Sequence, residues 1–153
     1  MNDIVIRKMT LGDVDALCKI ETDCFSAPWS KNDFLIIPTL NYAHFYVLEY
    51  QGKAVAFAGI YALDVAELMN IAVLPEYRGK HFACALLDEC INKANELKVP
   101  KMLLEVRKSN TSAIALYEKY QFKNIAIRKN YYTAPIEDAI IMVKELNDEN
   151  SCI

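Results

Sequence analysis

The chain has 153 residues, 54% of them hydrophobic, and its 17 basic and 20 acidic side chains give a formal charge of −3. This length suits a single domain that builds a core without disulfides, and the charge balance argues against nucleic acid as a direct partner, because phosphate binding needs a basic surplus on at least one face. The five cysteines are odd in number and include no Cys-x-x-Cys pair, which speaks against a disulfide framework and a zinc knuckle.

Targeting segments are not expected either. The first residues lack the basic and apolar regions of a signal peptide, and the longest apolar stretch, residues 54–63, is far shorter than the roughly 20 residues of a membrane helix. We therefore expect a cytoplasmic protein that does not contact membranes. One local basic cluster, interpreted as a solvated edge, comprises Lys119, Lys123, Arg128 and Lys129.

The first half of the chain is predicted to form a strand, two helices and an antiparallel meander. A strand at residues 4–9 precedes Thr10 and Asp13, which resemble the capping pair of a helix. Ser30 and Asp33 begin a second, shorter helix. The meander that follows has two strands joined by a hairpin turn and a third strand, at residues 43–50, 54–63 and 67–74.

The second half is predicted to place a parallel pair of strands inside the sheet. Apolar side chains recur every four residues over residues 80–97, which indicates a long helix, and a strand at residues 101–107 follows. A strand, a helix and a strand form a right-handed crossover, so the strands at 67–74 and 101–107 are expected to be parallel neighbours. The remaining elements are a helix, two paired strands and a polar tail, at residues 109–120, 122–128, 137–144 and 147–153.

These elements predict an α/β fold of the α+β type in one domain over residues 1–146. Its sheet is expected to be mixed and mostly antiparallel, with about seven strands, one central parallel pair and about four flanking helices.

Residues 70–83 read as a strand, a short basic turn and the start of a helix. Free backbone N–H groups and the helix dipole at such a point attract an anion such as a pyrophosphate, and Arg78 and Lys80 add positive charge. The alternative is an ordinary strand-to-helix loop with a solvated Arg-Gly-Lys. The residues alone leave these two interpretations about even.

A carboxylate interrupts the apolar strand at residues 101–107. By alternation Glu105 shares a face with Leu103 and Arg107. It therefore lies on a solvated face, pairs with Arg107 or Arg78, or is catalytic. Tyr117 lies at helical spacing with apolar neighbours, and this spacing by itself indicates core packing.

Two further groups of residues have weaker alternatives. His81 and Cys84 lie three residues apart on the long helix, but two ligands without a third or fourth make a poor metal site, so no metal is expected. Trp29 lies between the first two helices and is either a core residue or a wall of a substrate site.

The basic turn resembles the coenzyme A loop of the Gcn5-related N-acetyltransferase (GNAT) superfamily, whose pattern is Gln/Arg-x-x-Gly-x-Gly/Ala. The chain reads Arg78-x-x-His81-x-Ala83, so His81 stands where the family usually has glycine. That glycine lets the backbone approach a phosphate closely. A histidine there crowds the site, supplies a donor and a charge at mildly acid pH, or points outward.

Other segments resemble the bacterial ribosomal-protein-alanine N-acetyltransferases, in the family's order. The most extensive is Leu-Glu-Val-Arg-x-Ser-Asn-x-x-Ala-x-x-Leu-Tyr at residues 104–117. The others lie at residues 24–30, 70–73, 128–132 and 137–142. Gln121 departs from the pattern, because glycine usually precedes Phe122. Since glycine eases a left-handed turn at a helix end, we expect a small cost in stability there and no effect on chemistry.

The resemblance implies transfer of an acetyl group from acetyl-CoA to the N-terminal alanine of small-subunit ribosomal protein number eighteen. It assigns Glu105 as the base and Tyr117 as the acid toward the sulfur. It implies that the coenzyme contacts are Ile71, Ala72, Val73, Arg78, Gly79, Lys80, His81, Phe82, Ala83, Cys84 and Asn110. Because ribosomal tails are basic, we expect acidic side chains to line the acceptor groove, namely Asp33, Glu137 and Asp138.

The sequence leaves alternatives open for the acceptor and for the class of protein. An α-amine has a pKa of about 7.7–8.0 and a lysine side chain about 10.4, so the chemistry mildly favours an N-terminal amine over a lysine or another small-molecule amine. A non-catalytic acyl-CoA-binding regulator is a further alternative, favoured by His81 and disfavoured by the presence of both Glu105 and Tyr117. We expect a monomer or a weak dimer.

Overall fold

A computed structural model describes residues 3–146 of the protein. The strands of this part are β1 (Ile4–Lys8), β2 (Ala43–Tyr50), β3 (Lys53–Ala62), β4 (Ala66–Val73), β5 (Lys101–Arg107), β6 (Lys123–Thr133) and β7 (Ile136–Glu145). Its α-helices are α1 (Val14–Cys24), α2 (Lys31–Ile36), α3 (Phe82–Glu96) and α4 (Thr111–Lys119). The polar tail predicted at residues 147–153 lies outside the described residues.

The seven strands form one sheet in the order β1-β2-β3-β4-β5-β7-β6. The β4–β5 pair is parallel and the other neighbours are antiparallel. The predicted fold class and the predicted parallel pair are therefore confirmed. Most boundaries differ from the prediction by one or two residues, and two of the differences have a structural reason. The long helix begins at Phe82 rather than at residue 80, because His81 adopts a left-handed backbone conformation with φ 64°. The strand predicted at residues 122–128 continues to Thr133 through a bulge that interrupts its alternation.

The helices cover both faces of the sheet. Adjacent side chains on β2 point to opposite faces: the Phe45 ring packs 6.0 Å from Trp29, between α1 and α2, whereas Tyr46 lies beside Glu89 and Cys90 of α3. Helix α4 lies next to α3: at its C-terminal end the Tyr120 hydroxyl donates to the Asp88 carboxylate of α3 at 2.8 Å. The α1–α2 layer thus covers one face, and α3 and α4 share the other.

Local hydrogen bonds explain where the first helices begin. Ser30 Oγ accepts the backbone N–H of Asp33 at 3.2 Å, and Asp33 Oδ2 accepts the N–H of Ser30 at 2.8 Å, which is the predicted capping box of α2. The predicted Thr10–Asp13 pair is also present, with Asp13 Oδ2 accepting the Thr10 N–H at 2.8 Å. It begins a short 3-10 turn that leads into α1.

The parallel seam between β4 and β5 is short. Pairing is limited to Ala66 with Met102 and Glu67 with Leu103. On its other side β4 pairs with β3, where Gly59 faces Asn70 and Ile60 faces Leu68, so Met69 is an extra residue in β4. Such a bulge bends its strand and ends regular pairing. Beyond Leu103 the two central strands therefore diverge and leave a gap in the middle of the sheet.

Within residues 3–146, no helix combines the length and the apolar character needed to cross a bilayer. The cysteines in this range, Cys18, Cys24, Cys84 and Cys90, are free thiols.

Candidate active site

A cavity of about 610 Å³ opens where β4 and β5 diverge. Its walls come from α1 and the loop after it, from β4, β5 and α4, and from the β6–β7 hairpin. Several residues singled out in the sequence meet there, namely Trp29, Ile71, Glu105, Asn110, Tyr117 and Glu137. The other predicted coenzyme residues, Ala72, Val73 and residues 78–84, do not line this cavity; they follow it along the end of β4 and the loop into α3.

Glu105 extends from the middle of β5 with its side chain 22% exposed. Alternating burial along the strand places Leu103, Glu105 and Arg107 on one face, as predicted. Arg128 Nε lies 3.1 Å from Glu105 Oε2 and forms an ion pair with it. The partners predicted for this carboxylate are wrong, because Arg107 and Arg78 bond elsewhere.

Both of those arginines are occupied by local acceptors. Arg107 reaches the β6–β7 turn, where its Nη1 lies 3.2 Å from Glu137 Oε1 and 3.0 Å from the Pro135 carbonyl oxygen. Arg78 Nε donates to the Val73 carbonyl oxygen at 3.0 Å. Arg128 comes from the basic cluster predicted to be a solvated edge. The strand order brings it across β7 to Glu105 although its own side chain is 56% exposed.

Tyr117 both packs in the core and lines the cavity, so it fits the core role and the catalytic role considered for it. Its side chain is buried at 5% exposure and packs edge-on against Phe122, with ring centroids 5.7 Å apart. It also lines the cavity. Burial raises the pKa of the Tyr117 phenol, so the hydroxyl keeps its proton at neutral pH and is able to donate it. No side chain within residues 3–146 is hydrogen-bonded to this hydroxyl, which leaves it available to a ligand.

The loop between β4 and α3 is shaped by two residues with positive φ. Gly79 has φ 81° and His81 has φ 64°. A left-handed conformation is what glycine adopts without strain, and this explains why the family pattern favours glycine at position 81. The His81 side chain is exposed and does not cap α3. The first N–H groups of α3 thus lack a side-chain partner. Free N–H groups at a helix N-terminus are able to bind an anion.

Asn110 is the N-cap of α4. Its Oδ1 accepts the backbone N–H of Ala113 at 3.2 Å. The amide oxygen is therefore used inside the protein, and the amide nitrogen is the group directed at other partners.

Glu21 is a buried site residue that the sequence analysis did not identify. Its side chain is 2% exposed, and it accepts hydrogen bonds from the Trp29 backbone N–H and from Asn70 Nδ2, both at 3.0 Å. Burial raises the pKa of this carboxyl. Asn70 Oδ1 finds no partner among residues 3–146, so Glu21 fixes the orientation of that amide. A carboxylate beside Ile20 and Leu17 on the apolar stripe of α1 was the available sequence signal.

Trp29 therefore fits both alternatives. Its ring packs with Phe34 and Phe45, at centroid distances of 5.4 and 6.0 Å, and its edge lines the cavity. Its position is fixed by the Glu21 bond to its backbone.

The acidic lining is smaller than expected. Glu137 does line the cavity, and its pKa is lowered by hydrogen bonds from Ser109 and Arg107. Asp33 is instead the capping residue of α2, and Asp138 accepts the backbone N–H of Asn130 at 2.9 Å. Short acidic side chains prefer to accept hydrogen bonds from nearby backbone N–H groups, so Asp33 and Asp138 are not available to line the groove.

Among residues 3–146, no three His, Cys, Asp or Glu side chains lie close enough to hold a metal ion. The pair His81 and Cys84 is thus without a third ligand in this part of the chain.

Comparisons with known proteins agree with this architecture. The sequence model of the acetyltransferase (GNAT) family matches residues 14–122. The ribosomal protein bS18-alanine N-acetyltransferase of Escherichia coli (strain K12) is 40% identical over 140 residues, which cover 90% of this chain and 94% of that protein. The crystal structure of the ribosomal-protein-S18-alanine N-acetyltransferase from Escherichia coli matches with a TM-score of 0.87 at 37% identity, covering 98% of this chain and 99% of that one.

A more distant structure shares the fold alone. NAA60 of Arabidopsis thaliana, crystallised in complex with acetyl-CoA, is 17% identical and has a TM-score of 0.85, covering 94% of this chain and 99% of that one. The family match spans more than half of the sequence, and the bacterial relative matches over most of both chains. The chain therefore belongs to the acetyltransferase (GNAT) family, whose members use acetyl-CoA.

Proposed function

We propose that this protein transfers the acetyl group of acetyl-CoA to the N-terminal alanine amine of ribosomal protein bS18, and that it does so in the cytoplasm, where ribosomal proteins are made. The observation that carries the proposal is the gap between β4 and β5, because it brings Glu105 and Tyr117 into one cavity. The 40% identity to the bS18-alanine N-acetyltransferase of Escherichia coli supports the choice of acceptor.

The two faces of the sheet suggest two entrances. The loop from Arg78 to Cys84 leads into α3, and Asn110 and Tyr117 bring α4 to the cavity wall, so these groups belong to the α3–α4 side. We assign the pyrophosphate of acetyl-CoA to that loop, the pantetheine arm to the backbone of residues 71–73, and a further coenzyme contact to Asn110. The N-terminus of α3 fits this assignment, since its N–H groups lack a side-chain cap.

The acceptor enters from the opposite side in this proposal. That side is bounded by the loop after α1, with Trp29, and by the β6–β7 hairpin, with Glu137. Ser26 Oγ donates to the Ala134 carbonyl oxygen and joins these two segments. An extended chain end is the shape of acceptor that suits such a bounded entrance.

The residues present can carry out the transfer. Glu105, directly or through one water, removes a proton from the ammonium group, and the freed nitrogen lone pair attacks the thioester carbonyl carbon. The carbon–sulfur bond then breaks as the carbon–nitrogen bond is completed, and the nitrogen loses its second proton to solvent. The Tyr117 hydroxyl gives its proton to the departing sulfur and regains one from solvent. Deprotonating an α-amine at neutral pH costs about 3 kcal/mol less than deprotonating a lysine side chain, given reference pKa values near 8 and 10.4.

The experiment that tests the proposal compares two acceptors. Purified enzyme is given acetyl-CoA and either an alanine-initiated peptide of the bS18 N-terminus or a peptide with a blocked N-terminus and one lysine. We expect acetylation of the first peptide with a kcat/KM at least tenfold above that of the second. In cells, mass spectrometry of bS18 should find its N-terminus unmodified once the gene is deleted. A fully acetylated N-terminus in the deletion strain would contradict the proposal.

A further inference from the structure

Arg128 belongs to a built cluster on the acceptor side of the cavity, and the mechanism above gives it no role. Its Nε lies 3.1 Å from Glu105 Oε2. Its guanidinium also lies over the ring of Tyr131, 5.3 Å from the centroid. The nearby Glu105 carboxylate contributes most to raising the pKa of Tyr131. Two side chains, Arg128 and Tyr131, thus meet at the carboxylate that we assign as the base.

The backbone of β6 is shaped to make this cluster. Pairing with β7 is regular up to Arg128 and resumes at Tyr132, with an irregularity between them. Asn130 has φ 53°, and its N–H donates to Asp138 Oδ1 at 2.9 Å. A bulge of this kind re-aims a side chain that regular alternation would point elsewhere. Here it directs Tyr131 to Glu105 while Arg128 stays on the same carboxylate.

Other charged groups near Glu105 are occupied or lie on other walls. On β5, Arg107 is bound to Glu137 and stacks on Tyr132, 4.3 Å from the ring centroid. Burial, followed by the charge of Glu105, raises the pKa of Tyr132 to about 12, so its phenol is neutral.

The remaining neighbours of the cluster are carboxylates and one phenol. Glu67 of β4 lies close enough to raise the pKa of Tyr131 slightly, Glu21 of α1 is bonded to Trp29 and Asn70, and Tyr117 of α4 is protonated. Among the described residues, Arg128 is thus the cation paired with Glu105, whereas Arg107 is paired with Glu137.

We propose that Arg128 is a positioning residue for the transfer: by remaining paired with Glu105, it makes the site accept the incoming amine in its neutral form. A base that acts directly places the amine within about 4–6 Å of Arg128, since Arg128 Nε lies 3.1 Å from Glu105 Oε2. A positive charge at that distance disfavours the ammonium form and lowers the pKa of the bound amine. The proton then passes through Glu105 to solvent as the acceptor binds, before the attack on the thioester. This inference rests on the proposed function of the cavity as an amine acetylation site.

The test compares wild-type enzyme with Arg128→Gln, Arg128→Lys and Lys129→Gln. Lys129→Gln is the matched control, since it removes the same charge from the neighbouring exposed position of β6. Steady-state kcat is measured from pH 6 to 10 with the alanine-initiated bS18 peptide. We expect the acid limb of kcat to move up by about half a unit to one unit in Arg128→Gln, because an exposed arginine acts near the lower end of the usual range. Near pH 6.5 this is a loss of about three- to tenfold, and it disappears by pH 9.

A second measurement counts protons directly. Calorimetric titration of the peptide into enzyme and coenzyme A, in two buffers of different ionisation enthalpy, gives the protons released on binding. We expect wild type to release about 0.2 to 0.5 of a proton near pH 7, where the free α-amine is mostly protonated, and Arg128→Gln to release clearly less. Arg128→Lys should keep most of the release, and Lys129→Gln all of it.

The results that would overturn the role of Arg128 differ from the result that would overturn the proposed function. An equal loss of kcat in Arg128→Gln at every pH, accompanied by a lower melting temperature, would identify Arg128 as a structural brace and overturn the inference. So would an Arg128→Lys variant that behaves as Arg128→Gln, or wild-type binding without proton release. If the wild-type enzyme does not acetylate the bS18 peptide, the proposed function is overturned instead. The same four proteins are then compared with the lysine-bearing peptide, which tests the role of Arg128 independently of the bS18 acceptor.

Discussion

The carboxylate of Glu21 accepts a hydrogen bond from the side-chain amide of Asn70 at 3.0 Å, across 49 positions of sequence. This contact joins α1 to β4 immediately after the Met69 bulge, beside the opening of the cavity. Because burial raises the pKa of Glu21, the folded protein holds a proton there to higher pH than the unfolded chain does. The buried carboxylate therefore weakens folding as pH rises through its folded pKa, and this loss is absent in more acidic solution.

Glu21→Gln should make this dependence visible. The glutamine oxygen still accepts the Trp29 N–H, and its NH2 group donates to Asn70 Oδ1 once that otherwise unpartnered amide oxygen turns toward it. The amide never ionises, so the free energy of unfolding of the variant relative to wild type should increase as pH rises from about 4.5 to 7.5. Urea titrations across that range measure the difference. Glu118→Gln, which removes an exposed carboxylate of α4, is the control. A difference that is flat with pH for Glu21→Gln would show that burial does not hinder its ionisation.

Glu105→Gln should reduce kcat about 10²-fold while acetyl-CoA binding is retained, because the amide keeps the shape of the side chain and removes the base. The rate should recover partly above the pKa of the acceptor amine, since solvent then performs the deprotonation. Kinetics from pH 6 to 10 and calorimetry with acetyl-CoA measure both effects. Glu67→Gln, an exposed carboxylate on β4 outside the cavity lining, is the control. A Glu105→Gln enzyme with wild-type kcat would remove the assigned base.

Tyr117→Phe and Tyr120→Phe form a matched pair on one helix. The Tyr117 hydroxyl lacks a hydrogen-bond partner in the described part of the protein, so its removal should lower kcat by about tenfold or more with little change in melting temperature. The Tyr120 hydroxyl is bonded to Asp88, so its removal should cost about 1 kcal/mol of stability and leave kcat unchanged. The opposite pattern, with stability lost in Tyr117→Phe and turnover intact, would assign Tyr117 to core packing alone.

His81→Gly should bind acetyl-CoA at least as tightly as wild type and should be more stable by about 1 kcal/mol, because glycine adopts the left-handed conformation without a Cβ clash. Gln121→Gly is the control. Gln121 has φ 70° at the end of α4, so the same substitution should give a similar gain in stability and no change in affinity. Calorimetry and thermal melts separate the two effects. Weaker binding by His81→Gly would show that the imidazole contacts the ligand.

Most of the fold was predictable because the periodicities are strong. The long helix repeats apolar side chains every four residues, and the capping box of Ser30 and Asp33 marks the start of α2 in a few residues. Glu105 and Tyr117 became candidates through the family resemblance, since the helical spacing of Tyr117 by itself indicates packing. Local pattern and resemblance together therefore identified the elements and the two central residues.

The partners of these residues were not predictable, because they depend on strand order and on backbone irregularities. Nothing in the residues around Met69 announces a bulge, yet that bulge ends regular pairing and opens the gap. β7 inserts between β5 and β6, and this places Arg128 against Glu105 although Arg107 is nearer in sequence. A hairpin that folds back into the sheet cannot be read from alternation along either of its strands.

The short seam between β4 and β5 also divides the protein mechanically. Two residue pairs join the strands that precede the gap to those that follow it, so the ladder contributes little stiffness across the middle of the molecule. Rigidity there has to come from the helices: α3 packs on β2, β3 and β4, and the bond from Tyr120 to Asp88 attaches α4 to α3. The opening that admits two reactants is thus held at a fixed width by elements outside the sheet: α3 with α4 on one face, and the hydrogen bond from Ser26 to the Ala134 carbonyl oxygen on the other.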